Sequence, residues 1–470
     1  MPLWHGSDVQ ADRSLNVIHR MSSRFVCRSF VLIVIACAAT VRLAAEPQKQ
    51  RTVIVISLDG FPAYALDDPR LPIPTLRKLA HDGVIASSMQ PINPTVTWPN
   101  HTTLVTGVSA AQHRVLFNGQ LVRPSDGTKP TIEPWRDKDQ LVHAPTVYDI
   151  AYNAGLTTAQ VDWVAIYGAK TISWQFPELP DPNGKIEQEL VRAALVSAEQ
   201  LKTFENSNQA WQDDIWTAAA VHIIEKHKPN LLLVHLLTLD EISHTYGPMT
   251  PASFTATAFL DAKVKEIVDA VSHSGRAKKT TFIIVSDHGF RPYKHKIRPM
   301  SLLKQNGVSV DVANPSKADA WVLPEGGTAG VYVTNPDRKA ELIPELYTIF
   351  SGAEGIARVY GTEEFDKIGY PLPTASSQAP DLVLTAAPEY MFNGESEGDY
   401  VTLAEGGTHG YINSDPQMQA IFIASGASIR KGARLGNISN VDVAPTIAAL
   451  LGLAMEHTAG HAIPEIAGKH

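Results

Sequence analysis

Thr52-Val53-Ile54-Val55-Ile56-Ser57-Leu58, closed by Asp59-Gly60, is the run whose reading decides the fold class. Apart from Thr52 and Ser57 its side chains are aliphatic, and there is no polar alternation. That is the pattern of a strand covered on both faces, which is the situation of a parallel sheet packed between helices. Two further runs repeat the design: Leu231 to Leu237, soon followed by Asp240, and Thr280 to Val285, followed by Ser286, Asp287 and His288. Helical spacing separates them, over 74–80, 209–226 and 252–271. Strands alternating with helices predict an α/β protein with a mainly parallel central sheet flanked by helices. Ligands of such sheets gather beyond the carboxyl ends of the strands, so Asp59, Asp240 and Asp287 are expected on one rim.

Between the first two runs lies Asn93-Pro94-Thr95-Val96-Thr97-Trp98-Pro99-Asn100-His101. Pro99 predicts a helix start there, with a stop at Gly107. Thr97 would then stand just ahead of a helix N-terminus, where unpaired amides and the macrodipole favour an anion such as phosphate. Its hydroxyl becomes a nucleophile only if something takes its proton; otherwise Thr97 is an ordinary N-cap. No general base adjoins it. Metal-ligand side chains lie elsewhere, at Asp59, Asp240, His244, Asp287, His288 and His409. Asp240 and His244 have i, i+4 spacing, which puts both on one helical face. Asp287 and His288 are neighbours that converge only if the chain leaves its strand, and Gly289 permits that bend. His409 sits among Gly406, Gly407 and Gly410, in a backbone able to approach a site closely. A surface pair and a plain glycine loop are the bland alternatives for 240–244 and 406–410. Together the six and Thr97 are expected to form one two-metal hydrolytic centre.

The chain has 470 residues, 44% hydrophobic and 19% charged, with a net charge of −8. Setting aside the five Arg and two Asp of residues 1–45 leaves 35 basic and 46 acidic residues, or −11. A surface of that sign offers no footprint for a long nucleic acid, while a local pair of dications would still admit a small phosphorylated substrate, a nucleotide or phosphodiester. Residues 1–45 read as an export signal, with Met21 as an alternative start: Arg24 and Arg28, then an apolar run from Phe30 to Val41 and a small-residue end at Ala44-Ala45. The run is too short to span a bilayer, and no other segment of the chain reads as a transmembrane helix. The expected location is periplasmic or secreted. Cys27 and Cys37 both fall inside this segment, so the mature chain has no thiolate and its metal ligands must be carboxylate and imidazole. Val34-Ile35-Ala36-Cys37 resembles a lipoprotein cleavage box, which would make Cys37 a lipid anchor. Residues 46–470 are expected to be one catalytic domain, with the weaker pattern over about 292–400 an inserted cap.

Five short words occur in order: V-I-S-L-D-G ending at Gly60, P-T-V-T-W-P-N-H ending at His101, D-E-I-S-H from Asp240, S-D-H-G ending at Gly289, and G-G-T-H-G ending at Gly410. They resemble the signature of the nucleotide pyrophosphatase/phosphodiesterase family (type I phosphodiesterase) within the alkaline phosphatase superfamily. The resemblance implies an alkaline-phosphatase-like core and two Zn2+ per subunit. It implies one zinc on Asp240, His244 and His409, and a second on Asp59, Asp287 and His288 that also takes the Thr97 oxygen. It further implies a covalent phosphothreonine at Thr97, and an Asn118 side chain that donates to a phosphoryl oxygen, helped by the amide of Trp98. The sequence departs from many relatives at Leu239, where proline is common, and at Trp98, where phenylalanine is.

Monoesterases of the superfamily hold the extra charge of their substrate with added Lys and Arg or a third metal, in one branch through K-x-R. The comparable Val161-Asp162-Trp163-Val164 has no such pair, which favours a phosphodiester or phosphoanhydride. A phosphate monoesterase or phosphonate hydrolase of the same superfamily is the alternative, and an inactive envelope binding protein the second. A sulfatase would need a maturing cysteine or serine in C/S-x-P-x-R, which is absent. Trp163, Tyr167, Trp174 and Phe176 are expected in the core, with a substituent pocket as the other reading, and His101, His113 and His295 are expected to be structural or exposed.

Overall fold

The computed structural model describes residues 50–123, 129–310 and 318–468. The segment read as an export signal, with Cys27 and Cys37, lies outside them. The main sheet has eight strands: β1 (Thr52–Leu58), β2 (Val84–Gln90), β3 (Thr158–Val161), β4 (Trp174–Phe176), β5 (Leu231–Leu236), β6 (Thr280–Val285), β7 (Phe422–Gly426) and β8 (Ala433–Ser439). Their spatial order is β8-β2-β7-β6-β1-β5-β3-β4. Only β7 runs against the others, pairing antiparallel with both β2 and β6; the remaining pairs are parallel. Ser57 of β1 is level with His235 of β5 and with Val285 of β6. The three strongest strands therefore end at the same height, and the residues that succeed them lie on one rim.

The absence of alternation in these strands has a simple cause, since each face meets its own layer of helices. Ile54, Ile56 and Leu58 join Leu232, Val234 and the helix residues Leu260 and Val264 on one side. Val53, Val55, Leu231 and Leu233 join Leu104, Val105 and Ile447 on the other. Each such side chain contributes about 1.5–3 kcal/mol by leaving water. The helix expected over 209–226 has those bounds, Gln209–Lys226, and a closing helix spans Val443–Leu451. β5 stops one residue earlier than expected, at Leu236, because the Asp213 carboxylate accepts from the Leu237 and Thr238 amides (3.0 and 2.9 Å). A carboxylate from another helix thereby starts the helix Thr238–Tyr246, a cap invisible in the local sequence. The edge strands β4 and β8 were not anticipated; β4 has three residues, and β8 is half-buried to exposed.

Between β6 and β7 the chain leaves the main sheet. It builds an antiparallel sheet from Ala320–Glu325, Thr328–Val333, Leu382–Ala386 and Ile356–Gly361, and a three-stranded sheet from Glu389–Phe392, Arg291–Ile297 and Val401–Thr408. These close over a core of their own that includes Ile297, Leu303, Trp321, Val331, Leu346 and Phe350. The last of these strands delivers His409.

Candidate active site

Asp59 follows β1 directly, Asp240 lies in the first turn of the helix after β5, and Asp287 and His288 follow β6. The Gly60 amide donates to Asp287 Oδ1 (3.2 Å), tying two of the strand ends together. His288 Nε2 lies 3.1 Å from Asp287 Oδ2 and 3.5 Å from Asp59 Oδ1. Asp240 faces two imidazoles, with Oδ2 3.4 Å from His244 Nε2 and Oδ1 3.8 Å from His409 Nε2. Ligand atoms of Asp240, His244 and His409 lie within 4.8 Å of one another, and so do those of Asp59, Asp240 and His288. Asp240 thus stands between the two groups. His409 comes from far along the chain, and its strand reaches the helix Thr238–Tyr246 only because it lacks side chains there: a Cβ on Gly407 would sit 2.4 Å from the Ser243 carbonyl. Gly410 has φ +83°, and a Cβ on it would be 1.6 Å from the Glu325 carbonyl.

The three imidazoles share one arrangement. His244 Nδ1–H donates to the Gly407 carbonyl (3.2 Å), His288 Nδ1–H to the Gly289 carbonyl (3.1 Å) and His409 Nδ1–H to the Thr95 carbonyl (3.0 Å). A carbonyl only accepts, so in each neutral ring the hydrogen is on Nδ1 and Nε2 keeps its lone pair. All three lone pairs face carboxylate oxygens. Asp59 Oδ1, Asp240 Oδ1, Asp287 Oδ2 and His288 Nε2 are buried without a hydrogen-bond partner. Lone pairs turned on anions repel one another; a cation between them removes the conflict. The donors therefore fit divalent metal. Burial pushes Asp59 up, reinforced by Asp287 and Asp240, and pushes Asp240 up as well. Burial acts on Asp287 in the same direction, but His288, His101 and His235 with the Gly60 amide hold it below the usual carboxylate range. Burial and the neighbouring His288 and His244 drive His409 well down.

Thr97 is buried and is the first residue of the helix Thr97–Thr106, with Val96 as its cap. The expectation of a start at Pro99 is corrected by two residues. The first amides of a helix have no intrahelical acceptor, so proline is tolerated at the third position, and the Trp98 amide finds Asn118 Oδ1 (2.9 Å) instead. The Thr97 hydroxyl is accordingly inside the first turn and does not act as the N-cap. Both ends of this segment are tied to the carboxylate groups. Thr95 holds His409 as described, and His101, whose Nδ1–H donates to the Thr97 carbonyl (2.9 Å), lies 3.6 Å from Asp287 Oδ2. The helix still stops at Gly107.

Sequence reasoning missed the layer beneath. His235 Nε2–H donates to Asp59 Oδ2 (2.8 Å), and its Nδ1 lies 3.2 Å from Asp162 Oδ2. Burial pulls His235 down, but Asp162 and Asp59 hold it well above its ordinary value. His101 rests against it, ring centroids 4.2 Å apart, and is pushed down to about 3, chiefly by burial. A signal was present. His235 is the only ionisable residue in a run buried throughout, where an imidazole must find partners, and Asp162 comes directly after β3 on the same rim. Two cavities are lined by the residues on either side of Thr97. One is lined by Trp98, Trp135, Trp163, Tyr167 and Glu178, the other by Val96, Asn118, His244, Tyr293, Glu325 and His409. Trp163 is thus both buried and pocket-lining, whereas Trp174 stacks on His227 and Phe176 is core. Among the described residues neither cavity is lined by Lys or Arg.

The model of the family "Type I phosphodiesterase / nucleotide pyrophosphatase" matches residues 53–412. An uncharacterized pyrophosphatase/phosphodiesterase of Schizosaccharomyces pombe is 26% identical over 443 residues, covering 87% of this chain and 79% of the relative. Ectonucleotide pyrophosphatase/phosphodiesterase family member 7 of Rattus norvegicus is 23% identical over 439 residues, covering 92% and 90%. Among solved structures, human ectonucleotide pyrophosphatase/phosphodiesterase 5 superposes with a TM-score of 0.66 at 19% identity, over 89% of this chain and 97% of that one. The murine counterpart, an inactive threonine-to-alanine variant in complex with AMP, gives the same TM-score of 0.66. The alkaline-phosphatase-like α/β fold expected from the sequence is therefore the fold observed. A family match over that much of the sequence means that the chain belongs to the type I phosphodiesterase / nucleotide pyrophosphatase family, hydrolases of phosphodiester and phosphoanhydride bonds.

Proposed function

We infer that this protein is an exported, zinc-dependent hydrolase that cleaves phosphodiester or phosphoanhydride bonds through a covalent phosphothreonine at Thr97. The observation that carries the reading is the set of three Nε2 lone pairs, each fixed by an Nδ1–H bond to a backbone carbonyl and each turned on a partnerless or ion-paired carboxylate. Asp240, His244 and His409 would hold one ion, and Asp59, Asp287 and His288 the other, with Asp240 in reach of both. Nitrogen and oxygen donors without thiolate suit zinc. When bound, such an ion pair supplies Lewis acidity that favours the deprotonated hydroxyl near neutral pH and offsets phosphoryl charge.

The chain's own residues do the rest. Thr97 Oγ1 gives up its proton and attacks phosphorus in line; the bond from phosphorus to the leaving oxygen breaks, and that oxygen takes a proton. Water then attacks the phosphothreonine: its oxygen bonds phosphorus, the phosphorus–Oγ1 bond breaks, and Oγ1 takes a proton given up by that water, restoring the Thr97 hydroxyl. Two displacements give retention of configuration. Asn118, now accepting from the Trp98 amide, has its own amide hydrogens to offer a phosphoryl oxygen. The aromatic cavity of Trp98, Trp135, Trp163 and Tyr167 suits a flat second substituent such as a nucleobase. Cavities without Lys or Arg support a diester over a monoester, whose further charge would go unmatched. The N-terminal export signal supports a periplasmic or secreted location. Hydrolysis of a nitrophenyl diester should exceed that of the nitrophenyl monoester by at least about tenfold in kcat/KM. A monoester preference would overturn the substrate assignment, and no turnover of either ester or of natural nucleotides would overturn the enzyme reading.

A further inference from the structure

Away from this centre, Glu189 Oε2 receives two imidazoles: His222 Nε2 and His227 Nε2 each lie 2.7 Å from it. Both rings converge on this one carboxylate oxygen, which brings three potential ligand atoms to a common point. Ligand atoms of the three residues lie within 4.8 Å of one another. The side chains are 25%, 10% and 13% exposed, so the cluster is mostly covered while keeping a face open to solvent. Its supports are rigid. Glu189 is on the helix Lys185–Arg192, and His222 is on Gln209–Lys226, capped by His227. The His227 ring is fixed by stacking on Trp174, centroids 3.7 Å apart at 24°.

We propose that Glu189, His222 and His227 form a further divalent-metal site of the zinc class, with water in the open position. Two imidazoles and one carboxylate are a recurring three-ligand zinc set. Magnesium and calcium, which take oxygen ligands, fit it poorly. Bonds of about 2.0–2.1 Å to a tetrahedral ion hold their donors roughly 3.4 Å apart. The carboxylate would therefore draw back from each ring by about 0.7 Å, a change within the freedom of one Glu side chain. The site is distinct from the catalytic rim. Asp213, near the start of its helix, touches Leu237 and Thr238 at that rim, whereas His222 lies nine residues, about 13 Å, farther along the same helix. An ion there would staple the helix Lys185–Arg192 to Gln209–Lys226.

The mature protein and its Glu189→Gln and His222→Gln variants should be stripped with chelator, dialysed to equilibrium in a micromolar zinc buffer and analysed for zinc per chain. Each variant should hold one zinc fewer than the wild type, with kcat unchanged. The difference between proteins is the readout, so the result stands whatever the catalytic centre holds. Equal zinc contents overturn the site. If a variant does not fold, anomalous scattering from zinc-equilibrated crystals of the wild type decides: a peak among the three side chains supports the site, and its absence overturns it.

Discussion

His235 bridges two buried carboxylates, with Nε2 2.8 Å from Asp59 Oδ2 and Nδ1 3.2 Å from Asp162 Oδ2. Asp59 therefore has one oxygen occupied from below and the other, Oδ1, turned to His288 without a hydrogen-bond partner. The imidazole orients the carboxylate as outer-layer partners orient metal ligands.

His235→Ala should accordingly lower zinc affinity about 10–100-fold and cost roughly 1–3 kcal/mol by stranding Asp59 Oδ2 and the Asp162 main-chain carbonyl, the acceptors of its two ring N–H groups. Competition with a calibrated chelator measures the first and denaturant unfolding the second. Unchanged affinity would mean that Asp59 is oriented without it.

Thr97→Ala should keep most of its metal yet lose at least about 10³-fold in turnover, since the proposed attacking atom is gone while the six carboxylate and imidazole ligands remain. Thr97→Ser should retain more activity than the alanine variant. Steady-state kinetics beside metal analysis on the same preparations separate a lost nucleophile from a lost ion.

Metal removal should destabilise the protein, and more so at pH 8 than at pH 6. Burial pushes Asp59 and Asp240 up, so without ions their contribution is present at low pH and is lost as pH rises through the raised values. An ion held at a thousand times its dissociation constant adds about 4 kcal/mol. Calorimetry with and without chelator at the two pH values reads the difference; an equal loss at both would contradict it.

Glu187 offers a pH effect apart from the proposed catalytic centre. Its carboxyl is fully buried, with Oε2 unpartnered, and burial pushes it up to about 7. A raised carboxyl contributes stability that is complete below its unfolded value and is lost as pH rises through about 7. Glu187→Gln should flatten that decline, making the variant about 1–3 kcal/mol more stable than the wild type at pH 8 relative to pH 5. Urea unfolding at both values checks it; parallel curves would refute the assignment.

Much of the site was visible in one dimension because its carboxylates end strands. Asp59 and Asp287 needed only the rule that parallel strands deliver their C-terminal residues to one rim, and Asp240 and His244 needed only helical spacing. Thr97 was found by its place before Pro99, although the helix begins at Thr97 itself, since the acceptor for its first turn is Asn118 and a local pattern cannot show that. His235 reads locally as one more residue of a buried strand, and of the two readings for His101, structural or exposed, the structural one holds, since it is wholly buried against Asp287 and His235.

The order of apolar runs and turns by itself determined the parallel α/β core, because burying both faces of a strand is a demand that seven consecutive side chains can state locally. It also determined which chemical groups were available: carboxylates, imidazoles and one hydroxyl, with no thiol after the N-terminal segment. Only the tertiary structure decided how they face one another. His409 reaches Asp240 through an inserted sheet, the three rings take their tautomers from the carbonyls of Gly407, Gly289 and Thr95, and Asp59 takes its orientation from His235. Those partners are set by packing between segments up to hundreds of residues apart, and no local preference encodes which carbonyl a ring will meet.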